Sequence, residues 1–103
     1  MSPPAVPCAP SPNPPTALAA RATGKKKVNL TWVQSSSPNV AQNKIYRSTV
    51  NGGPYTLVAT IAAATSFNNT GLTSGTTYYY VATAVNSGGL ESAASNQASA
   101  TAR

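Results

Sequence analysis

Apolar and polar residues alternate along several short stretches of this chain. In residues 28–32, Val28, Leu30 and Trp32 fall on one face of an extended chain, with polar side chains between them. Successive side chains of a strand point to opposite faces of its sheet, so this period of two predicts a strand with one buried face.

Similar patterns recur through the rest of the chain. Further strands are predicted at residues 43–49, 55–61, 65–69, 77–86 and 92–101. Turn signals rich in glycine and proline lie between them, as in the Asn-Gly-Gly-Pro run at residues 51–54. About seven short strands separated by turns predict an all-β fold, a seven-stranded antiparallel β-sandwich, and no stretch predicts a helix.

The large inward-facing side chains of these strands and turns form the predicted core. They are Leu30, Trp32, Ile45, Phe67, Leu72, Tyr78 and Tyr80. The large aromatic members bury about 150–250 Å² each, which at roughly 25 cal/mol per Å² contributes several kcal/mol apiece. This core is expected to hold the fold together without a disulfide.

Asn43 does not fit the apolar side of its strand. It has the same parity as Ile45 and would therefore face the core. A buried asparagine without partners costs ~1–3 kcal/mol. Either Asn43 is hydrogen-bonded, or the strand begins after it, and the later start is preferred.

The N-terminal segment is dominated by proline, with seven of the nine prolines before Thr16. Proline fixes φ and lacks a backbone donor, so residues 1–15 are predicted to form an extended polyproline-II-like arm ahead of a domain at residues 16–103. Such an arm either docks onto a partner or acts as a stiff linker. The candidate docking residues are Pro3, Pro4, Pro7 and Pro10, and the role of Cys8 is left open.

The charged composition excludes most catalytic sites. The chain carries seven Lys and Arg residues, one acidic residue and no His, for a formal net charge of +6 at pH 7. A Ser-His-Asp triad, a His-ligated metal and a two-carboxylate glycosidase pair cannot be built when Glu91 is the sole acid. We therefore expect a protein that is not an enzyme and needs no cofactor or metal, and no apolar run approaches the ~20 residues of a membrane span.

Four basic residues lie around the turn between the first two predicted strands. Arg21 is followed by the run Lys25, Lys26 and Lys27. The lysines could bind a phosphate, an anionic polysaccharide or an acidic surface. A solvated loop that aids solubility is the favoured alternative, and nucleic acid is disfavoured because no aromatic platform accompanies the lysines.

Two tyrosines are predicted to face outward on neighbouring strands. Tyr46 and Tyr79, together with Lys44 and Val81, could form an exposed strip for sugar stacking or protein contact. Ordinary cross-strand pairing on a solvent-facing surface is the favoured alternative.

Four motifs resemble the fibronectin type III family, in the form common among bacterial secreted proteins. They are the Pro-led start at residues 12–18, Trp32 at the end of the second strand, Ile-Tyr-Arg-Ser at 45–48 with Gly-Gly-Pro-Tyr at 52–55, and Gly-Leu-Thr-Ser-Gly-Thr-Thr-Tyr at 71–78. The resemblance covers roughly residues 12–101 and implies an immunoglobulin-like sandwich with Tyr78 as its corner tyrosine. Immunoglobulin domains carry a Cys two residues later, where this chain has Tyr80, so their disulfide is excluded.

These observations leave two hypotheses for function, both non-catalytic. In the first, the domain is displayed on an exterior surface, extracellular or on a virion, and its arm docks it to a capsid or surface protein, as in a virion decoration protein. The lack of a secretory signal pattern at the N terminus favours this hypothesis. In the second, it is a spacer or weak carbohydrate-contact module from a secreted bacterial polysaccharide-degrading enzyme, and its partners are the parent enzyme's domains and a polysaccharide.

Overall fold

The computed structural model describes residues 11–103, which fold into two antiparallel sheets that face each other. The strands are β1 (Thr16–Gly24), β2 (Lys27–Val33), β3 (Val40–Ser48), β4 (Thr56–Ala62), β5 (Ser66–Asn69), β6 (Thr77–Asn86) and β7 (Ala98–Thr101). One sheet has the order β1-β2-β5 and the other β4-β3-β6-β7. Residues 11–103 contain no helix, so the predicted seven-stranded sandwich is confirmed.

The core lies between the sheets and is built from the inward parity of each strand. Leu30, Ile45 and Tyr80 have no exposed surface, and Trp32 is 5% exposed. Leu72 and Tyr78 are also buried, whereas Phe67 is only partly buried and packs against the cluster from the short strand β5.

Tyr78 closes one end of the core by a hydrogen bond to the loop before its own strand. Its hydroxyl accepts a hydrogen bond from the Thr73 backbone N–H at 2.9 Å. That backbone bond is the main reason that the pKa of Tyr78 is lowered, because it stabilises the phenolate more than the phenol. The contact is the corner arrangement that the family resemblance implies.

The preferred late start of β3 is wrong, because the strand begins at Val40 and includes Asn43. The Asn43 side chain is fully buried, and its oxygen accepts hydrogen bonds from Gln34 Nε2 at 2.7 Å and from the Ala64 N–H at 3.0 Å. Its amide nitrogen donates to the Thr83 carbonyl oxygen at 3.0 Å. These bonds offset the cost of burying the amide, so the strand needs no later start.

The last predicted strand is shorter in the structure, because regular pairing begins only at Ala98. Before it, Ser92 and Ser95 follow β6 irregularly. Their N–H groups donate to the Ala84 and Ala82 carbonyl oxygens, and their hydroxyls accept from the N–H groups of the same two alanines. Serine side chains therefore take the place of backbone carbonyls along this part of β6.

The two ends of the described chain lie at opposite ends of the sandwich. Asn13 donates from its backbone N–H to Ser37 Oγ at 2.7 Å, in the loop after β2. The Arg103 carbonyl accepts from the Lys26 N–H at 2.8 Å, in the turn before β2. The seven residues of β2 separate these two contacts, a distance of about 20 Å at the usual rise of a strand.

Candidate functional site

The outer face of the four-stranded sheet carries both tyrosines that the sequence singled out. Tyr46 on β3 is the partner of Val81 on β6, and Tyr79 on β6 is the partner of Ser48. The two rings are thus diagonal neighbours, within reach of one another. Both are half-buried and Val81 is only 7% exposed, an arrangement that fits the favoured alternative of cross-strand pairing, and the exposed strip stays a proposal.

Glu91 holds Tyr46 in place, an interaction that the sequence did not predict. The Tyr46 hydroxyl donates to Glu91 Oε2, and Thr83 Oγ1 donates to the same oxygen at 2.7 Å. Lys44 Nζ lies 3.8 Å from Glu91 Oε1. Turn residues 87–90 carry Glu91 back over β6, where it bridges to Val85, and no local pattern foretells that return.

The pKa values of this cluster follow from burial and hydrogen bonding. Desolvation and the neighbouring Glu91 carboxylate together raise the pKa of Tyr46 to about 12. Burial by itself would raise the pKa of Glu91, but the hydrogen bonds from Tyr46 and Thr83 and the Lys44 charge outweigh it and lower that pKa. At neutral pH the cluster is therefore a carboxylate held by a neutral phenol, a hydroxyl and an ammonium group.

The side chain of Gln97, two residues before the Tyr79 partner Ser99, fixes the turn between β3 and β4. Its oxygen accepts hydrogen bonds from the Tyr55 hydroxyl and from the Gly52 N–H, the latter at 2.8 Å. Its amide nitrogen donates to Asn51 Oδ1 at 2.8 Å. Tyr55 is thus a third outward tyrosine on this side of the molecule, and the sequence analysis did not single it out.

The basic run lies at the tip of the β1–β2 hairpin, fully on the surface. Lys25 and Lys26 form the turn, Lys27 begins β2, and all three side chains are exposed. The Lys26 carbonyl accepts from the Leu72 N–H at 3.2 Å, and its own N–H donates to Arg103, so the turn backbone is anchored on two sides. The candidate lysines are brought together but lie away from the tyrosines, which are on the other sheet.

A groove of about 350 Å³ opens beside the end of β3. Arg47 lies in its wall, 5.1 Å from the centre of the Tyr78 ring, and donates to Asn69 Oδ1 at 3.1 Å. Asn69 also accepts from the Tyr80 hydroxyl at 2.7 Å, and desolvation raises the pKa of Tyr80 to about 12. The Arg47 guanidinium is therefore engaged within the fold, where it links β3 of the four-stranded sheet to β5 of the three-stranded sheet.

Residues 11–103 contain neither a cluster of metal-ligating side chains nor a membrane-spanning helix. No group of three or more His, Cys, Asp or Glu side chains comes together that could hold a metal ion. No helix in this part of the chain is long and apolar enough to cross a membrane. The proposed docking prolines Pro3, Pro4, Pro7 and Pro10, together with Cys8, lie outside the described residues.

A family comparison agrees with this architecture. The family model described as Fibronectin type III domain matches residues 13–101. An Fn3-like protein from Clostridium thermocellum superposes with a TM-score of 0.79 at 37% identity, covering 91% of this chain and 96% of that one. Both findings identify the same domain type that the sequence motifs resemble.

Bacterial enzymes contain stretches similar to this chain. An amylopullulanase of Thermoanaerobacter thermohydrosulfuricus is 40% identical over 90 residues, which are 87% of this chain and 6% of that enzyme. A β-1,2-glucanase from Parabacteroides distasonis superposes with a TM-score of 0.76 at 27% identity over 91% of this chain and 14% of its own. The chain thus spans only a small part of the enzymes that it matches.

Proposed function

The chain belongs to the fibronectin type III family, and we propose that it is an accessory module of a secreted polysaccharide-degrading enzyme. In this role it acts outside the cell, carries no catalytic group, separates neighbouring parts of the enzyme and contacts polysaccharide weakly. Many unrelated roles use this fold, so the proposal depends on this chain's own features and its relatives.

The positions of the two chain ends are the observation that carries the spacer role. Asn13 is held at the end of the sandwich that contains Ser36 and Ser37, and Arg103 is held at the end that contains Lys26. A neighbour attached at each end would be kept apart by the length of the sandwich. The sheets cannot shorten without losing their hydrogen bonds, so this separation is rigid.

The names of the matched enzymes support a polysaccharide-degrading parent. Amylopullulanases of three bacteria match this chain at 38–40% identity. Each match occupies 4–6% of the enzyme, a fraction that suits an accessory module. These matches favour the accessory module over a virion decoration protein, for which no described residue offers specific support.

The mass of the natural polypeptide tests the spacer role. We expect mass spectrometry of the source organism to find residues 13–101 within a chain far larger than 10.4 kDa that also contains a glycoside-hydrolase domain. A natural product of 10.4 kDa that copurifies with capsid or surface proteins would contradict the proposal and favour docking through the arm.

Retention on polysaccharide tests the weak contact. We expect starch or pullulan in affinity electrophoresis to retard the chain slightly, and Tyr79→Ala to abolish the retardation because it removes the less tethered ring. Tyr46→Phe is the matched control, since it keeps the ring and loses only the bond to Glu91. Equal retardation of Tyr46→Ala, Tyr79→Ala and the unmodified chain would rule out the tyrosine face and leave a spacer alone.

A further inference from the structure

Charge is distributed unevenly between the two sheets. Glu91, the sole acidic residue, lies on the outer face of the four-stranded sheet and pairs there with Lys44. The three-stranded sheet and its hairpin carry Arg21, Lys25, Lys26 and Lys27 and have no acidic side chain. On that side of the molecule the basic side chains therefore have no acidic side chain to pair with.

Three polar side chains form a row across the outer face of the three-stranded sheet. Arg21 on β1 is the partner of Asn29 on β2, which is the partner of Asn68 on β5. All three have the parity opposite to the core residues of their strands, and Asn29 Nδ2 donates to Asn68 Oδ1 at 2.8 Å. Neighbouring strands are about 4.8 Å apart, so this row offers a guanidinium and two amides over about 10 Å.

The hairpin extends this surface with three ammonium groups on a fixed turn. Lys26 has a φ of 59°, a left-handed conformation in which glycine or asparagine is usual. The backbone bonds to Arg103 and Leu72 hold that conformation. The Lys27 stem passes over Gly24, with its Cδ 3.7 Å from where a Cβ on Gly24 would lie, and so covers the end of β1 on the same side as Arg21.

We propose that this cationic face, comprising Arg21, Lys25, Lys26, Lys27, Asn29 and Asn68, binds an anionic polysaccharide. The guanidinium of Arg21 suits a sugar carboxylate because its planar fork donates two parallel hydrogen bonds. Amides such as Asn29 and Asn68 can donate to and accept from sugar hydroxyls. The lysines attract the next carboxylates of the polymer as point charges.

Single-stranded nucleic acid fits this face poorly, because proteins that bind it stack the bases on aromatic side chains and no outward side chain of these three strands is aromatic. A neutral glucan has no anionic group that could pair with these basic side chains. The proposal goes beyond the accessory-module function and does not depend on it, because the face is present in the chain by itself.

A titration of the chain with polygalacturonate at low ionic strength, measured by calorimetry, tests the proposal. We expect binding whose affinity falls steeply with added salt, with a logarithmic slope on the order of the three to four cations engaged. The combined variant Lys25→Gln, Lys26→Asn, Lys27→Gln should bind roughly 10- to 100-fold more weakly, and asparagine is chosen at Lys26 because it tolerates positive φ.

A charge-matched pair separates the face from net charge. Arg21→Gln and Thr60→Glu each lower the net charge by one, but Thr60 is exposed on β4 of the other sheet. We expect Arg21→Gln to weaken binding several-fold and Thr60→Glu to change it little. Equal effects of the two variants, or no binding of polygalacturonate at low salt, would overturn the proposal.

Inorganic polyphosphate and single-stranded oligodeoxythymidine serve as comparison ligands, because both are anionic polymers whose charges are phosphates rather than sugar carboxylates. Preference for polygalacturonate over both supports the polysaccharide assignment. Equal or tighter binding of either comparison ligand would show simple ion exchange or nucleic-acid binding and would overturn it. Pullulan binding at the tyrosine face is measured separately, so the failure of one proposal leaves the other standing.

Discussion

At the scale of single residues, the most consequential side chain is the buried amide of Asn43. It links three separate parts of the chain, because it bonds to Gln34, to the Ala64 backbone and to the Thr83 backbone. A buried polar side chain of this kind adds little to the free energy of unfolding while its hydrogen bonds are made. Removing it leaves its buried partners unpaired, which lowers that free energy strongly.

Replacing Asn43 with Ala should therefore be strongly destabilising. The Thr83 carbonyl and the Ala64 N–H would each lose a hydrogen bond at a buried or half-buried position, at a cost of about 2–3 kcal/mol. Urea denaturation followed by circular dichroism measures the change. Asn68→Ala is the control, because Asn68 is exposed and bonds only to Asn29; equal losses in the two variants would contradict this account.

Glu91 should make the fold sensitive to acid. Its folded-state pKa lies below the ordinary value of 4.5, so its contribution to stability is complete above that pH and is lost as pH falls through the folded pKa. Because the side chain is 32% exposed, we expect the loss to be at most about 1 kcal/mol. The urea midpoint should fall between pH 5 and pH 3 in the unmodified chain and less in Glu91→Gln; parallel curves would refute the assignment.

At this scale the sequence predicted on which face of a strand a side chain lies better than it predicted which residue that side chain bonds. Alternation around Ile45 points Asn43 toward the core, where the structure has it, although the preferred late start of the strand was wrong. Its partner Gln34 lies in a loop with no pattern of its own. The Glu91 contact with Tyr46 was missed for a similar reason, since it depends on how a turn folds back. Interactions between a strand and a loop depend on tertiary position, which a local pattern does not contain.

At the scale of elements, the chain before β7 shows how side chains replace regular pairing. Asn96 accepts a hydrogen bond from the Leu18 N–H at 2.9 Å and donates to the Leu18 carbonyl oxygen at 3.0 Å. One amide thus reproduces the two bonds of a backbone pair and joins β1 of one sheet to the segment that leads into β7 of the other.

Asn96→Ala should loosen this junction locally. Two hydrogen bonds are lost, and we expect a loss of about 1–2 kcal/mol in the free energy of unfolding together with faster hydrogen exchange at the Leu18 amide. Ser99→Ala on β7 is the control, because that side chain is exposed. Unchanged exchange at Leu18 in the Asn96 variant would contradict the role of this amide.

The elements themselves were largely predictable from sequence. Residues 77–86 form β6 with the predicted bounds, because a long run of tyrosine, valine and threonine favours a strand and turn signals flank it. The segment at residues 92–97 was not predictable, since alanine and serine carry no strand signal and its pairing uses serine hydroxyls. Where the side-chain pattern is weak, tertiary contacts determine the backbone conformation.

At the scale of the whole molecule, the lack of histidine and the single acid leave few groups to titrate near neutral pH. We expect the urea midpoint to be nearly constant from about pH 6 to about pH 9. Tyr46 and Tyr80 each have a folded pKa of about 12 against an ordinary value of 10.0. Their neutral forms therefore stabilise the fold fully below pH 10, and this contribution is lost as pH rises toward 12.

Alkaline denaturation checks this expectation. The unmodified chain should lose stability steeply above pH 10, and Tyr46→Phe should lose less because one of the two phenols that resist ionisation is gone. Ultraviolet absorbance of phenolate, recorded beside the urea midpoint, shows whether these tyrosines ionise together with unfolding. Ionisation complete well before unfolding would contradict the burial of Tyr80.

Trp32 gives the molecule a built-in optical reporter. It is the single tryptophan of the chain, and 95% of its surface is covered by the two sheets, so its fluorescence comes from one apolar environment. Separation of the sheets would expose the indole to water and shift its emission to longer wavelength. Ligands at either outer face leave the indole covered, so a binding titration and an unfolding curve can be distinguished in the same unlabelled sample.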